Sequence, residues 1–229
     1  MNRRTKEFLK TLPFYSFLKL YRRYQFKRRI KYFHIEGDEM LQLLSQSLNQ
    51  AGITFWLEFG TLLGYYREHD FIEHDMDIDI GAHFSDATLL RNTLLHSGFK
   101  LVREFRCDDG SGLEECYMYK HSTFDVFYFI EEGGNRFCNS FSLREGIARK
   151  LNAYLPCVVK KIVVPKFGFN EVDYKGSKVK VPQHTDIYLQ SHYGKDFMIP
   201  NPNFDYKSEA TNIIYYCYEE KPAKAYLKF

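Results

Sequence analysis

Short stretches of alternating apolar and polar residues recur along most of this chain, between segments in which apolar residues follow helical spacing. Met40, Leu41, Leu44 and Leu48 recur at intervals of one, three and four residues, which is typical of a buried helix face. Helices are expected over 36–50, shortly after Phe59, from Ser85 or Asp86 to Gly98 and over 184–193. A looser segment is expected around Pro200 and Pro202, with an aromatic helix over 213–218 as an open alternative. Strands are expected over 53–58, 75–82, 99–105, 115–120, 123–130 and 157–164.

The order of these elements indicates the fold class. A helix, a strand, a glycine turn, a second helix and an acid-bearing strand are followed by a third helix and then mainly by strands. This order predicts an α+β, or mixed α/β, protein in which helices pack on one mixed sheet. The length of 229 residues suits one domain with appendages. We assign 1–35 to an N-terminal arm, 36–200 to the domain that carries the chemistry, and 201–229 to a C-terminal extension.

The strand predicted at 75–82 carries two acids on one face. Asp77 and Asp79 alternate with Ile78 and Ile80, and successive side chains of a strand point to opposite faces. Two adjacent carboxylates repel each other unless a cation lies between them. Carboxylate oxygens suit Mg²⁺ or Mn²⁺, so we predict that both aspartates are catalytic and bind one of these ions. A solvated turn or strand edge is the ordinary alternative for an acidic pair.

A third acid, Asp125, lies in the otherwise apolar run TFDVFYFI. A carboxylate among such neighbours is costly to bury without a partner. We predict that Asp125 reaches the same cation from a neighbouring strand, or removes a proton from the acceptor as a general base. The competing interpretation is a structural ion pair between Asp125 and a nearby lysine or arginine.

A glycine-containing turn precedes the acidic strand. Gly60 and Thr61 are expected to open a helix whose free N–H groups face phosphate, with the threonine as a hydroxyl donor or a helix cap. Arg67 is placed to clamp a phosphate, and Asp75 to orient Arg67 or a metal-bound water. Glu58 is assigned to a sugar hydroxyl of the donor. An ordinary N-cap turn and an ordinary surface arginine remain open as alternatives.

The net charge of +3 hides a strong asymmetry. Residues 1–35 contain eleven lysines and arginines against one acid, whereas the rest of the chain has a net charge of −7. Aromatic residues are interleaved with these basic residues, a combination that suits an anionic membrane surface, and we assign this contact to residues 1–33. Packing of the arm on the core is an equal alternative. Nucleic acid is excluded as the partner because no recognition motif is present and the body is acidic.

The five cysteines are odd in number and form no C-x-x-C pair, which favours reduced thiols. No run of about 18 apolar residues is present, and the N-terminus lacks the apolar stretch of a secretory signal. We therefore expect a cytoplasmic protein. If the arm contacts lipid, we expect the protein to bind peripherally at the inner face of the plasma membrane.

These motifs resemble the LicD/fukutin family. The matching segments are Gly60-Thr61-Leu62-Leu63-Gly64, Arg67, Phe71-Ile72, Asp75-Met76-Asp77-Ile78-Asp79-Ile80, Phe124-Asp125-Val126-Phe127, and the run from Phe167 through Val181-Pro182 to Tyr193-Gly194-Lys195-Asp196. The resemblance covers most of 38–200. Glu73-His74 stands where the family usually has Pro-Trp, and Met76 replaces an acid or tyrosine, but neither change removes an expected metal ligand.

The resemblance implies a nucleotidyltransferase fold and a metal-dependent phosphotransferase. Such an enzyme would move a phosphocholine-like or phospho-alditol group from a CDP-linked donor to a glycan hydroxyl, in capsule, lipooligosaccharide or other surface polysaccharide synthesis. The first alternative is a nucleotidyltransferase that delivers NMP to a small acceptor and releases pyrophosphate. The second is a non-catalytic module that binds a nucleotide sugar.

Overall fold

A computed structural model describes residues 13–201, 210 and 212–228, so residues 1–12 of the predicted arm lie outside the described residues. Its α-helices are α1 (Pro13–Gln50), α2 (Phe59–Glu68), α3 (Ala87–His96) and α4 (Thr185–Tyr193), with a 3₁₀ turn at Phe84–Asp86. Its strands are β1 (Phe55–Leu57), β2 (Asp77–His83), β3 (Lys100–Cys107), β4 (Leu113–Tyr119), β5 (Ser122–Glu132), β6 (Asn135–Leu143), β7 (Tyr154–Pro165), β8 (Phe169–Tyr174), β9 (Ser177–Pro182), β10 (Ile213–Tyr215) and β11 (Ala223–Leu227).

Nine of these strands form one mixed sheet, and β8 and β9 form a separate hairpin. The main path runs β1-β2-β5-β4-β3-β11-β7-β10, and β6 pairs with both β5 and β7. Strands β3, β4, β5, β6, β7 and β11 therefore form a closed ring of paired neighbours. Strand β2 pairs in parallel with β5 outside this ring, and β1 pairs with the far side of β2. The predicted class, a mixed sheet with packed helices, is confirmed.

Two apolar clusters support this sheet. The larger contains the buried residues of α1, α2 and α3 together with those of the central strands, including the fully buried Phe33, Leu44, Ile78 and Phe124. The smaller lies among β3, β6, β7 and β11, and its members include Phe105 and Ala225. The alternation of Ile78 and Ile80 with Asp77 and Asp79 places the isoleucines in the larger core and leaves the acids on the other face.

Helix α1 differs from the predicted division between arm and domain. The helix runs without a break from Pro13 to Gln50, so the predicted boundary between residues 35 and 36 falls within one helix. Proline is tolerated in the first turn of a helix because its missing N–H has no intrahelical partner there. The outer half is exposed, as at Phe17 and Tyr24, whereas Phe33 is fully buried. The part of the arm nearest the domain thus packs on the core.

The C-terminal extension is the second difference. The prediction for this segment was a looser stretch with an aromatic helix over 213–218 as the alternative, but Ile213–Tyr215 forms β10 on β7. Strand β11, Ala223–Leu227, inserts between β3 and β7 and closes the ring. The prediction was wrong because tertiary pairing overrides a local apolar pattern. The two described strands of the extension are therefore part of the main sheet.

Most other predicted elements are present within a few residues. Strands β6, β8 and β9 are the main omissions. In β9, Val179 and Val181 alternate with Lys178 and Lys180, so a strand signal was present there and was missed. All five cysteines are free thiols, four of them buried and Cys217 exposed, as the odd count predicted. Among the described residues, every helix is too short or too polar to cross a bilayer.

Candidate active site

Three aspartates meet on one face of the sheet where β2 and β5 run in parallel. In the strand register Asp79 lies directly beside Asp125, and Asp77 lies beside Thr123. Because side chains alternate along a strand, Asp77, Asp79 and Asp125 share the face opposite Ile78. Asp125 therefore lies on the strand next to Asp77 and Asp79, as predicted.

The turn between β1 and α2 holds the backbone of Asp79 at both of its polar groups. The N–H of Glu58 donates to the carbonyl oxygen of Asp79 at 3.0 Å. The N–H of Asp79 donates to Oγ1 of Thr61 at 2.9 Å. Thr61 is buried, so its role in the structure is to fix the acidic strand to the start of α2. This contact with strand β2 is not among the roles predicted for Thr61.

The same turn contains a residue with a strained backbone. Phe59 has φ of +44°, a left-handed conformation that costs a residue other than glycine about 1–3 kcal/mol. Its ring packs against Phe127 and His192, with centroids 4.6 and 5.1 Å apart. These aromatic contacts hold the tight strand-to-helix turn that presents Gly60 and Thr61 to the acids.

Asp75 lies against the first turn of α2. A methyl group on Gly60 would be 3.4 Å from Oδ2 of Asp75, so the carboxyl group contacts the helix start directly. Burial, followed by the nearby charges of Asp77 and Glu68, raises the pKa of Asp75 to about 7. The positive end of a helix dipole favours an anion at this position. Gly60 and Asp75 therefore belong to the same cluster as the three predicted metal ligands.

Arg67 contacts a different acid from the one predicted. Its Nη2 atom lies 2.7 Å from Oε1 of Glu68, and only 10% of the arginine side chain is exposed. Tyr193 lies at the end of α4. Burial, and then the charge of Asp79, raise the pKa of Tyr193 well above its usual range, and the charge of Arg67 opposes this shift, so Asp79 and Arg67 both lie near Tyr193. The structure thus gives Arg67 a local ion pair, and its contact with phosphate stays a prediction.

Glu58 requires a correction. Its side chain is fully buried, and Oε2 accepts hydrogen bonds from Nε1 of Trp56 at 2.7 Å and from the hydroxyl of Tyr188 at 2.8 Å. Its Oε1 atom lies 3.2 Å from Nε2 of His192. A carboxylate enclosed by three side chains has no surface for a sugar hydroxyl. Glu58 is a positioning residue that joins β1, α4 and the turn below Asp79.

Crowding of the three central acids raises the pKa of Asp77 and of Asp79. Burial and the neighbouring Asp125 raise the pKa of Asp77 to about 6. Burial, Asp77 and Asp125 raise the pKa of Asp79 well above its usual range. Crowded carboxylates of this kind are stabilised by a positive charge at their centre. The electrostatics of the cluster therefore favour a cation.

Two arginines supply positive charge at the edges of the cluster, and neither is among the predicted site residues. Nη2 of Arg29, on α1, lies 3.7 Å from Oδ2 of Asp77. Nη2 of Arg103, on β3, lies 3.3 Å from Oδ1 of Asp125 and 3.0 Å from Sγ of Cys116. The ion pair weighed as the competing interpretation of Asp125 is thus present. The sequence shows that Arg103 lies in a predicted strand. Only the strand register shows that its partner is Asp125.

Glu114 is a further acid that the sequence interpretation missed. It precedes Cys116 by two residues on β4, and Cys116 lies opposite Asp125, so all three side chains share one face. Oε2 of Glu114 accepts a hydrogen bond from the N–H of Phe141 at 3.0 Å. Burial, and then the charge of Asp125, raise the pKa of Glu114 to about 8. Glu114 therefore extends the acid cluster toward the interior of the ring.

The cluster fits a hard divalent cation by chemistry and backbone placement. Carboxylate oxygens from two adjoining strands are the ligands that Mg²⁺ and Mn²⁺ prefer. Within the described part of the chain, however, no three acidic, histidine or cysteine side chains converge as a ready-made metal site. Asp77 and Asp125 are directed at arginines instead. Metal binding at this position stays a prediction.

The segment that forms this site is similar to known proteins. Residues 52–147, which contain the turn, both acid strands and Arg103, match the model described as LicD/FKTN/FKRP, nucleotidyltransferase domain. This segment matches that family's model, and the predicted resemblance is confirmed.

The individual relatives are proteins named ribitol-5-phosphate transferase FKTN from Homo sapiens, Mus musculus and Macaca fascicularis. Each is 30% identical to this chain over 183 residues, which is 79% of this chain and 37% of the relative. The chain therefore spans little more than a third of the length of these relatives. A crystal structure of the lincosamide antibiotic adenylyltransferase LnuA with lincomycin aligns with a TM-score of 0.37 and 14% identity. The alignment covers 66% of this chain and 89% of LnuA.

Proposed function

We propose that this protein is a metal-dependent phosphotransferase that moves a phospho-alditol or phosphocholine-like group from a CDP-linked donor to a glycan hydroxyl. The observation that carries this proposal is the placement of Asp77, Asp79 and Asp125 on one face of two adjoining strands beside the start of α2. The match of residues 52–147 to the LicD/FKTN/FKRP family model supports it. The name of the relatives, ribitol-5-phosphate transferase, favours an alditol phosphate as the transferred group.

In this proposal the three aspartates hold Mg²⁺ or Mn²⁺, which when bound neutralises charge on the donor phosphates. Glu58 and Thr61 fix the backbone of Asp79, so that its carboxylate keeps one position during the reaction. The N–H groups at the start of α2, around Gly60, face the phosphates.

The proton of the acceptor hydroxyl needs a base within hydrogen-bond reach. Asp125 remains the candidate for this role when it is not a metal ligand. Asp75 is the second candidate, because burial, Asp77 and Glu68 raise its pKa to about 7, close to physiological pH.

The outer half of α1 supports peripheral contact with an anionic membrane as part of the proposed setting. Residues 17–31 carry seven lysines and arginines and no acid. Phe17, Leu20, Tyr21 and Tyr24 follow the spacing of one helix face, and each is more than half exposed. Arg29, at the inner end of the segment, contacts the body. An apolar face flanked by basic residues is typical of a helix lying in a membrane interface.

This membrane contact would place the acid cluster near lipid-linked glycans at the inner face of the plasma membrane, which suits surface polysaccharide or lipooligosaccharide synthesis. The same basic face offers no motif for nucleic acid.

A panel of CDP-alcohols, including CDP-ribitol and CDP-choline, tests the proposal when each is incubated with Mg²⁺ and a glycan acceptor. We expect release of CMP by the native protein and none by Asp77→Ala. Asp173→Ala, which removes an exposed carboxylate from β8, is the matched control and should retain activity. Release of pyrophosphate from a nucleoside triphosphate would favour a nucleotidyltransferase. Nucleotide-sugar binding without turnover of any donor would favour a binding module.

A further inference from the structure

Two guanidinium groups reach the acid cluster from separate elements, and their contacts are loose. Arg29 comes from α1 and Arg103 from β3, at 3.7 and 3.3 Å from Asp77 and Asp125. A full charge-assisted hydrogen bond to a carboxylate is shorter, about 2.7–2.9 Å, and is often bidentate for arginine. The two side chains are 48% and 36% exposed. Both arginines therefore retain donors that can contact a ligand.

Each arginine contacts a carboxylate that is also a proposed metal ligand. A guanidinium and a divalent cation at the same carboxylate repel each other and compete for the same oxygen lone pairs. A cation held by Asp77, Asp79 and Asp125 would therefore weaken both arginine contacts. The displaced guanidinium groups would remain beside the site, because α1 and β3 are fixed by packing around Phe33 and by pairing with β4.

A diphosphate is the ligand that suits two guanidinium groups beside a divalent cation. The planar fork of arginine matches the spacing of phosphate oxygens and forms paired hydrogen bonds with them. We propose that Arg29 and Arg103 exchange partners, binding Asp77 and Asp125 before the cation arrives and the donor diphosphate afterwards. This inference rests on the proposed function. It adds a donor-binding residue from α1, outside the segment that matches the family model.

The exchange predicts effects of opposite sign on two ligands. Titration of the full chain with Mn²⁺ alone, followed by calorimetry, should show tighter binding by Arg29→Gln and Arg103→Gln than by the native protein, by roughly threefold to tenfold, since a competing cation is removed. Titration with CDP in the presence of Mn²⁺ should show the reverse, with affinity falling about tenfold or more for each variant. A merely structural arginine would not strengthen the binding of one ligand while weakening the other.

Neighbouring arginines provide the controls. Arg28→Gln removes the same charge from α1 at a residue that stacks on Tyr32, and Arg106→Gln does so on β3 at an exposed position. Both controls should leave the two affinities within about twofold of native. Arg103→Lys keeps the charge if the glutamine variant fails to fold, and should still lose CDP affinity because it lacks the fork.

The outcomes separate this inference from the proposed function. Mn²⁺ affinity that is unchanged or weaker in both glutamine variants would overturn the exchange while leaving the metal site intact. Unchanged CDP affinity would overturn it equally. A native protein that binds no Mn²⁺ would refute the metal site itself, and the exchange with it.

Discussion

Two groups of acids lie on opposite faces of the same sheet, and they differ in how completely their charge is compensated. Glu115, on one face, is fully buried and forms an ion pair with Arg91, while its Oε2 accepts hydrogen bonds from Tyr117 at 2.7 Å and Tyr128 at 2.5 Å. Arg91 also pairs with Glu104 at 2.8 Å. Every strong charge in this network has a close partner, so it stabilises the fold.

On the other face, Asp77, Asp79 and Asp125 share two loosely held arginines. Burial and mutual repulsion raise the pKa of both Asp77 and Asp79, which is unfavourable for the folded protein at neutral pH. Poor compensation of this kind is typical of sites that act on ligands. The contrast identifies the aspartate face as the candidate site without reference to any relative.

The strongest way to break this comparison is Asp79→Asn, which removes the central acid and keeps its shape. We expect turnover of the CDP donor to fall by roughly 10³-fold or more, a loss of about 4 kcal/mol. The melting temperature should rise rather than fall, because one of three crowded carboxylates loses its charge. Donor turnover and differential scanning calorimetry on the same sample measure both effects.

Asp173→Asn is the matched control, since Asp173 is an exposed acid on β8. It should change neither activity nor melting temperature appreciably. An Asp79→Asn protein that melts well below native would show that the aspartates belong to a structural network after all.

The opposite face should behave in the opposite way. Glu115→Ala leaves Arg91 and two tyrosine hydroxyl groups without their shared partner, so we expect a loss of about 3–5 kcal/mol in the free energy of unfolding. Donor affinity per folded molecule should stay near native. Urea denaturation gives the first quantity, and calorimetric titration with CDP the second.

The comparison for this variant is Glu171→Ala at an exposed position on β8, with an expected change within about 0.5 kcal/mol. If Glu115→Ala proved as stable as this control, the distinction between the two faces would lose its energetic basis.

Glu114 sharpens the comparison through pH, because it belongs to the aspartate face but lies deep in the ring. Burial and Asp125 raise its pKa to about 8 from an ordinary value of 4.5. Between these values the folded state keeps the proton that the unfolded chain has released, so the native protein loses stability as pH rises from 4.5 to 8. Glu114→Gln has no such proton.

The advantage of Glu114→Gln over native should therefore grow across that window and reach on the order of 4 kcal/mol at pH 8. Urea denaturation at pH 4.5, 6 and 8 measures it, with Glu171→Gln as the exposed control. A constant difference between variant and native at all three values would contradict the buried, protonated state of Glu114.

The residues that were predicted from sequence are those whose arrangement is local. The alternation of Asp77 and Asp79 with isoleucines is a period-two pattern within one strand, and it defines their common face without knowledge of any other strand. The acid in an apolar run, Asp125, is likewise recognisable because burial without a partner is costly.

The residues that were missed depend on contacts between distant segments. Arg29 and Arg103 acquire their roles only from the path of α1 and the register of β3, and neither has a local signal. Strand β11 pairs with partners about seventy and a hundred and twenty residues earlier, so the pattern of its five residues could not show that it closes a ring. Glu58 was misassigned because a residue beside a functional turn can face either the ligand or the core.

The smallest expected effect is on membrane binding by the outer half of α1. There the unsatisfied feature is exposed apolar surface, whereas on the aspartate face it is poorly compensated charge. Phe17 is 65% exposed on the face that points away from the body. In sedimentation with vesicles of phosphatidylserine and phosphatidylcholine, Phe17→Ser should lower partitioning about fivefold, equivalent to about 1 kcal/mol, since part of one aromatic ring no longer enters the interface. Leu89→Ser, at an exposed apolar residue of α3, should partition like native because α3 carries no comparable basic face.

Binding of the native protein should also weaken with added salt and vanish on vesicles of phosphatidylcholine alone. Equal losses for the two variants would mean that α1 is not the membrane contact, and the exposed aromatic face would then need another partner.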